Sequence, residues 1–139
     1  MTRIDFYVLQ ASEPQARYPL ACRLLDKAIK GGHQVVVALN SDEQQSALEH
    51  ALLNHRPESF LPFRSSDQED CAEPIILDCK NLSQQHDLLL CLGHELPENF
   101  SQYQRLIEIV TQDEATLGST RHHWAFFKER GYPVHHHTL

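Results

Sequence analysis

Residues 104–132 read QRLIEIVTQDEATLGSTRHHWAFFKERGY, and this stretch decides the fold class. Its first part, residues 106–110, is almost continuously apolar, which is typical of a strand covered on both faces of a sheet. The following residues predict a helix that begins at Thr111, has Glu114 at the capping spacing and stops at Gly131. A buried strand that leads directly into a helix favours an α/β fold.

One side of this predicted helix combines apolar side chains with a positive charge. Leu117, Arg121, Trp124 and Phe127 recur at helical spacing, so we expect them to share a side. A guanidinium beside an aromatic surface can hold a carboxylate while the surface buries the attached side chain. We therefore expect a docking site for a short acidic peptide with a hydrophobic end. The simpler alternative is that the apolar residues pack on the sheet and Arg121 is an ordinary surface charge.

Composition limits the class of protein. The chain has 139 residues, of which 41% are hydrophobic, and this suits one domain over residues 1–139. No segment resembles a signal peptide, and no apolar run has the length of a membrane span. We therefore expect a cytoplasmic protein without a membrane partner. The four cysteines lack paired spacing, which predicts reduced thiols.

The charge distribution argues against a surface that wraps nucleic acid. The formal net charge is −7, whereas phosphate binding needs a concentrated excess of Lys and Arg, so direct binding of nucleic acid through the basic end is only a third possibility. From Arg121 onward the balance reverses, with Lys128 and Arg130 present against Glu129 alone. A locally basic end on an acidic protein indicates an acidic partner, and a peptide is more plausible than a duplex.

The chain upstream repeats the alternation of strands and helices. Short apolar runs predict strands at residues 3–9, 34–39, 74–78 and 88–92, and helical spacing predicts helices at residues 18–30 and from a Ser41 cap to just before Arg56. Residues 64–73 are predicted to be a loop, and residues 132–134 a short extended piece. The order strand, helix, strand at the start predicts a right-handed βαβ unit. The whole pattern predicts a three-layer α/β/α domain with a mostly parallel sheet, Rossmann-like but without a nucleotide-binding loop.

Residues 57–63, PESFLPF, hold two prolines around three large apolar side chains. Prolines at these positions exclude a regular helix and disfavour a central strand. The segment is therefore either an extended piece packed under the sheet or an edge that a partner chain covers.

No pattern of an enzyme or a metal site emerges. The loop after the first strand, QASEPQA, has no glycine, which excludes the phosphate-binding loops of nucleotide enzymes. The spacings of Cys79, His86, Cys91 and His94 match no usual zinc pattern, so no metal or cofactor is expected. The histidines at residues 135–137 fit a natural tail, although such a run can capture a transition metal. A small hydrolase or a nucleotide-binding enzyme on the same sheet is the alternative class.

The order of elements resembles one family, the chi subunit of bacterial DNA polymerase III holoenzyme. The resemblance rests on the opening strand IDFYVL, on the helix with ACRLL that precedes two glycines and VVVAL, and above all on PESFLPF. The last helix fits as well, with Arg121, Trp124 and Lys128 placed before Gly131.

The resemblance implies a non-enzymatic accessory subunit of the clamp-loader assembly at replication forks. Such subunits pair with the psi subunit and separately bind the acidic C-terminal tail of single-stranded DNA-binding protein. The resemblance implies that psi contacts Leu53, Phe60 and Leu61. It also assigns the tail site to Val110, Arg121, Trp124 and Lys128.

The sequence departs from the family pattern at three positions. Ala125 stands where relatives usually carry a second basic residue, so Lys128, Arg130 or the histidines would have to supply that charge. Phe63 stands where relatives often carry histidine. Leu53 occupies a place where relatives often carry tryptophan.

Overall fold

The computed structural model describes residues 1–55, 61–66, 73–78 and 87–139. Its strands are β1 (Arg3–Val8), β2 (Val35–Ala38), β3 (Phe63–Ser65), β4 (Ile75–Asp78), β5 (Leu88–Cys91), β6 (Arg105–Val110) and β7 (Val134–Thr138). Its helices are α1 (Arg17–Lys30), α2 (Asp42–Asn54) and α3 (Glu114–Glu129), with two 3-10 turns at Pro14–Ala16 and Phe100–Gln102.

The seven strands form one sheet in the order β3-β4-β2-β5-β6-β1-β7. Every strand pair is parallel. The chain passes from β1 through α1 to β2, and β6 and β5 lie between these two strands. β1 and β2 are therefore not neighbours, and β1 pairs along its whole length with β6, from Arg3 opposite Arg105 to Val8 opposite Val110. The parallel α/β fold predicted from the sequence is therefore confirmed.

Apolar clusters cover both faces of the sheet. On one face, α1 and α2 bury Leu25 and Leu48 against strand residues such as Leu90. On the other face, α3 and the second 3-10 turn bury Phe127 and Phe100. Because side chains alternate along a strand, neighbouring residues of β2 and β5 enter opposite clusters. The arrangement is a sheet between two helical layers.

The caps of α2 and α3 differ in how well the sequence predicted them. The Ser41 cap is confirmed, since its Oγ accepts a hydrogen bond from the N–H of Gln44 at 3.2 Å. The predicted start of α3 at Thr111 is wrong, because Asp113 is the cap and accepts from the N–H of Thr116 at 3.0 Å. Burial alone would raise the pKa of Asp113, but hydrogen bonds from Thr111 and Thr116 lower this pKa to about 2. The Asp113 carboxylate is thus ionised, and as a hydrogen-bond acceptor at this helix start it is stronger than the neutral hydroxyl of Thr111.

The sequence patterns missed both edge strands. β3 begins at Phe63 and includes residues that were predicted to be a loop. β7 contains the three histidines that were predicted to be a tail. His136 stacks on Phe6 with ring centres 5.4 Å apart, and His137 stacks on Tyr7 at 4.6 Å. At the edges of the sheet few residues are buried, one of three in β3 and none in β7, so the composition of these strands resembles that of loops.

Candidate functional site

The helix α3 presents Arg121, Trp124 and Lys128 to solvent. Trp124 is 41% exposed, whereas Phe127 is completely buried. The prediction that Phe127 shares the side of Trp124 is therefore wrong. Three residues turn a helix by about 300°, which leaves the two side chains about 60° apart, and the edge of the core falls between them.

A polar pair inside the protein fixes this rotation of α3. Glu108, in the middle of β6, is only 3% exposed, and its carboxylate lies 2.9 Å from Nδ1 of His123. Thr120 lies 3.3 Å from the same carboxylate. Burial would lower the pKa of His123, but the hydrogen bond and the charge of Glu108 raise it above the usual value. Because the pair is buried, rotating the helix would leave a carboxylate without its partners.

This pair predicts a pH-dependent stability difference between the wild-type protein and His123→Gln. A folded-state pKa above the unfolded value stabilises the fold at low pH, and this stabilisation disappears as pH rises through the folded-state pKa. We expect the free energy of unfolding of the wild type to exceed that of the variant by about 1–3 kcal/mol below about pH 6. At about pH 9 the difference should be smaller. Urea unfolding at both pH values measures this. An equal difference at the two values would contradict it.

The indole of Trp124 is held in place by neighbouring side chains. Its N–H donates a hydrogen bond to Nε2 of His136 in β7 at 3.0 Å. The Lys128 ammonium lies 5.7 Å from the centre of the indole ring. The ring therefore offers an ordered, half-exposed apolar surface beside a positive charge.

The Arg121 guanidinium is exposed, and no carboxylate in the described part of the chain pairs with it. It borders a shallow depression of about 400 Å³. The other residues that line this depression are Gly118, His122, Ala125, Phe126 and Glu129. His122 and Phe126 also line a neighbouring hollow of about 570 Å³, whose other lining residues include the apolar Leu96, Pro97 and Phe100 and the acidic Glu95 and Glu98. A free guanidinium beside a mainly apolar surface is the geometry that binds a carboxylate attached to a hydrophobic side chain.

Val110, the fourth residue predicted at this site, has a different position. Its side chain is 2% exposed and belongs to the core on the α3 face. Its carbonyl accepts a hydrogen bond from the N–H of Leu9 at 2.8 Å. The structure therefore brings Arg121, Trp124 and Lys128 to one exposed helix flank, and it places Val110 in the packing of the sheet.

Comparison with known proteins points to one family. Residues 1–135 match the family model described as DNA polymerase III chi subunit, HolC. The chain belongs to this chi family. It is 36% identical to DNA polymerase III subunit chi of Pseudomonas aeruginosa over 140 residues, which cover 100% of this chain and 98% of the relative. It is 24% identical to the Haemophilus influenzae subunit of the same name over 131 residues, covering 92% of this chain and 91% of the relative.

The second set of residues predicted from the chi family has two described members, Leu53 and Leu61. Leu53, near the end of α2, is 71% exposed and is an isolated large apolar side chain on that helix surface. Leu61 is only 4% exposed and packs in the core beneath α1 and α2. Phe60 lies outside the described residues. Leu53 is thus the described member of the set that is open to a partner.

A polar network that the sequence did not predict lies at the C-terminal ends of the strands. Arg17 is 4% exposed and donates hydrogen bonds to the carbonyls of Leu92 at 2.9 Å and Pro14 at 3.0 Å. Gln44 donates to the same Leu92 carbonyl at 2.9 Å. Ligands of open α/β sheets commonly bind at this edge. In this chi-family protein, Arg17 and Gln44 bind backbone there instead. The one feature of the sequence that could have indicated Arg17 and Gln44 is their position in the first turn of a helix.

The residues considered as metal ligands do not form a described cluster. Within residues 1–55, 61–66, 73–78 and 87–139, no group of three or more His, Cys, Asp or Glu side chains is placed to hold a metal ion. Cys91 is buried in β5, and burial raises the pKa of its thiol well above the usual value. Cys79 and His86 lie outside the described residues.

Of the helices that the structure describes, none has both the length and the apolar character that crossing a membrane requires.

Proposed function

We propose that this chi-family protein is a non-catalytic bridging subunit of the clamp-loader assembly. One surface holds the psi subunit, and another binds the acidic C-terminal tail of single-stranded DNA-binding protein. The protein acts at replication forks in the bacterial cytoplasm and contacts DNA only through these partners. The observation that supports the proposal most strongly is the exposed Arg121 guanidinium, which pairs with no carboxylate among the described residues and lies on the same flank of α3 as the ordered indole of Trp124.

The charges on α3 suit the end of an acidic chain. Arg121 pairs with the terminal carboxylate, which a guanidinium can hold through two parallel hydrogen bonds. The Lys128 ammonium, 5.7 Å from the Trp124 ring, supplies a second charge in place of the basic residue that Ala125 replaces. An aromatic or aliphatic side chain at the end of the tail lies in the depression beside Phe126. The tail therefore contributes both charge pairing and apolar burial.

The psi surface depends on apolar burial. Leu53 is 71% exposed, and covering a leucine side chain contributes about 1.5–3 kcal/mol. Leu61 supports this surface from within the core, because its own side chain is already buried. The psi surface includes α2, which covers one face of the sheet, whereas the tail surface lies on α3 across the other face. Two partners can therefore bind at the same time.

A capture experiment tests the bridge. Immobilised psi is expected to retain single-stranded DNA-binding protein only when this chi-family protein is added. Leu53→Asp places a charge in the apolar contact, so it is expected to abolish retention of both the chi-family protein and the binding protein. Leu139→Asp is the matched control, since Leu139 is also exposed, at 54%, and it should retain both. Capture of the binding protein by psi alone, or unchanged capture by Leu53→Asp, would contradict the proposal.

A further inference from the structure

A groove of about 450 Å³ lies on the α1 face of the sheet, at the N-terminal ends of β1, β5 and β6. Its polar rim consists of Arg3, Lys27, His33, Asp87, Gln104 and Arg105, and its floor includes Tyr7, Leu24, Ala28, Leu88 and Ile107. The tail surface on α3 covers the opposite face of the sheet. The groove is therefore separate from the tail surface, and it lies on the same face as the psi surface without being lined by Leu53 or Leu61.

A buried carboxylate orders the two guanidinium groups of the rim. Asp5 is completely buried, and its Oδ2 lies 2.8 Å from Nε of Arg105 and 3.1 Å from Nε of Arg3. Nε2 of His137 lies 2.8 Å from the other carboxylate oxygen. Burial would raise the pKa of Asp5, but the bonds from His137 and Arg105 lower it below the usual value, so the carboxylate stays ionised. Both guanidinium side chains remain partly exposed, Arg3 at 50% and Arg105 at 31%. Groups fixed in this way lose little conformational entropy when they bind a ligand.

The groove is positive on an acidic protein. Arg3, Lys27 and Arg105 give its lining three positive charges against the single carboxylate of Asp87, an excess of two, and Asp5 beneath them reduces the excess to one. Asp87 is already engaged by His33 at 3.2 Å and by the N–H of Gln34 at 3.0 Å. Lys27 is exposed, and it pairs with no carboxylate among the residues that the structure describes. The chain as a whole carries −7.

We propose that this groove is a docking site for an acidic peptide segment of a partner protein. Carboxylates of the segment pair with Arg3, Lys27 and Arg105, because planar guanidinium groups match the two oxygens of a carboxylate. An apolar side chain of the same segment covers Leu24, Ala28 and Ile107 on the floor. A nucleic acid is disfavoured, because three cations are few for a phosphate backbone and the net charge of the protein repels it. A bare phosphate ion would leave the apolar floor uncovered.

An NMR titration of the full chain tests the inference. The chain carries Arg121→Ala to remove the tail surface, and the probe is a short peptide of alternating Asp and Leu with both ends capped. We expect the amide signals of Tyr7, Leu24 and Ile107 to shift on binding. Lys27→Glu is expected to weaken binding about tenfold or more, since it replaces an attraction by a repulsion. Arg23→Glu is the matched control on α1, because Arg23 is exposed and does not line the groove, and it should change binding less than about twofold.

Four outcomes would overturn the inference. They are shifts confined to α3, equal binding of a peptide with Asn in place of Asp, and equal shifts with inorganic phosphate or a single-stranded oligonucleotide. The fourth is a concentration-dependent dimer in sedimentation that Lys27→Glu abolishes, which would make a second copy of this chain the occupant. These outcomes leave the predicted role of Arg121 untested, because Arg121 is already absent from the protein used, so failure of this inference is distinguishable from failure of the proposed tail contact.

Discussion

Phe127→Ala is expected to lower the free energy of unfolding by about 3–5 kcal/mol, which is the usual cost of removing a buried phenylalanine ring. The ring is completely buried on the inner side of α3. Four phenylalanine and tyrosine rings lie around it, with centroid distances of 6.3 Å to Phe6, 5.5 Å to Phe100, 5.8 Å to Phe126 and 5.8 Å to Tyr132. Its loss leaves a cavity that these rings fill only in part. Urea unfolding at a fixed pH measures the difference.

Trp124→Ala is the matched control for this substitution. It removes a larger aromatic ring from the same helix, yet Trp124 is 41% exposed, so we expect a loss of less than about 1.5 kcal/mol. For binding of an acidic peptide the two variants should rank the other way: Trp124→Ala should weaken binding more than Phe127→Ala. If both variants lost the same stability, the two rings would share one buried side, and the separation of core and binding surface on α3 would be wrong.

Arg121→Ala is expected to weaken binding of an acidic, Phe-terminated peptide about tenfold or more, the scale of losing one charge-assisted hydrogen bond. The guanidinium is exposed and has no described carboxylate partner, so the substitution disrupts no internal pair. Arg121→Glu is expected to weaken binding about a hundredfold or more, because it also adds repulsion. Wild-type affinity should fall as salt rises from about 0.1 M to about 1 M, where the Debye length shortens from about 10 Å to about 3 Å.

The sequence predicted the parts of the fold that apolar periodicity controls. The continuous apolar runs became the inner strands β2, β4, β5 and β6, and the spacing in α1 became a buried helix face. The edge strands were missed because they hold few buried residues, so β7 reads VHHHT and shows no apolar alternation. The strand order could not be read locally, since the pairing of β1 with both β6 and β7 joins segments about a hundred residues or more apart.

The candidate site was predictable in its residue types and not in its orientation. Glu108 was visible as a lone acid in an apolar strand, but its partner is His123, fifteen residues away on α3. That buried contact sets the rotation of the helix, and thereby places Trp124 outside and Phe127 inside. Helical spacing alone allows either ring to face the core. The groove on the α1 face was not predicted, because Arg3, Lys27 and Arg105 are far apart in the sequence and become neighbours only when β1 and β6 pair in the sheet.

The central claim is that an exposed guanidinium on α3 binds the end of an acidic chain, and calorimetric titration tests it most directly. An acidic, Phe-terminated peptide is titrated into wild type, Arg121→Ala and Arg23→Ala at low salt. Arg23→Ala removes the same charge from an exposed position on α1, so it controls for the overall charge of the protein. We predict that the dissociation constant rises about tenfold or more for Arg121→Ala and less than about twofold for Arg23→Ala. Equal dissociation constants for wild type and Arg121→Ala would contradict the claim.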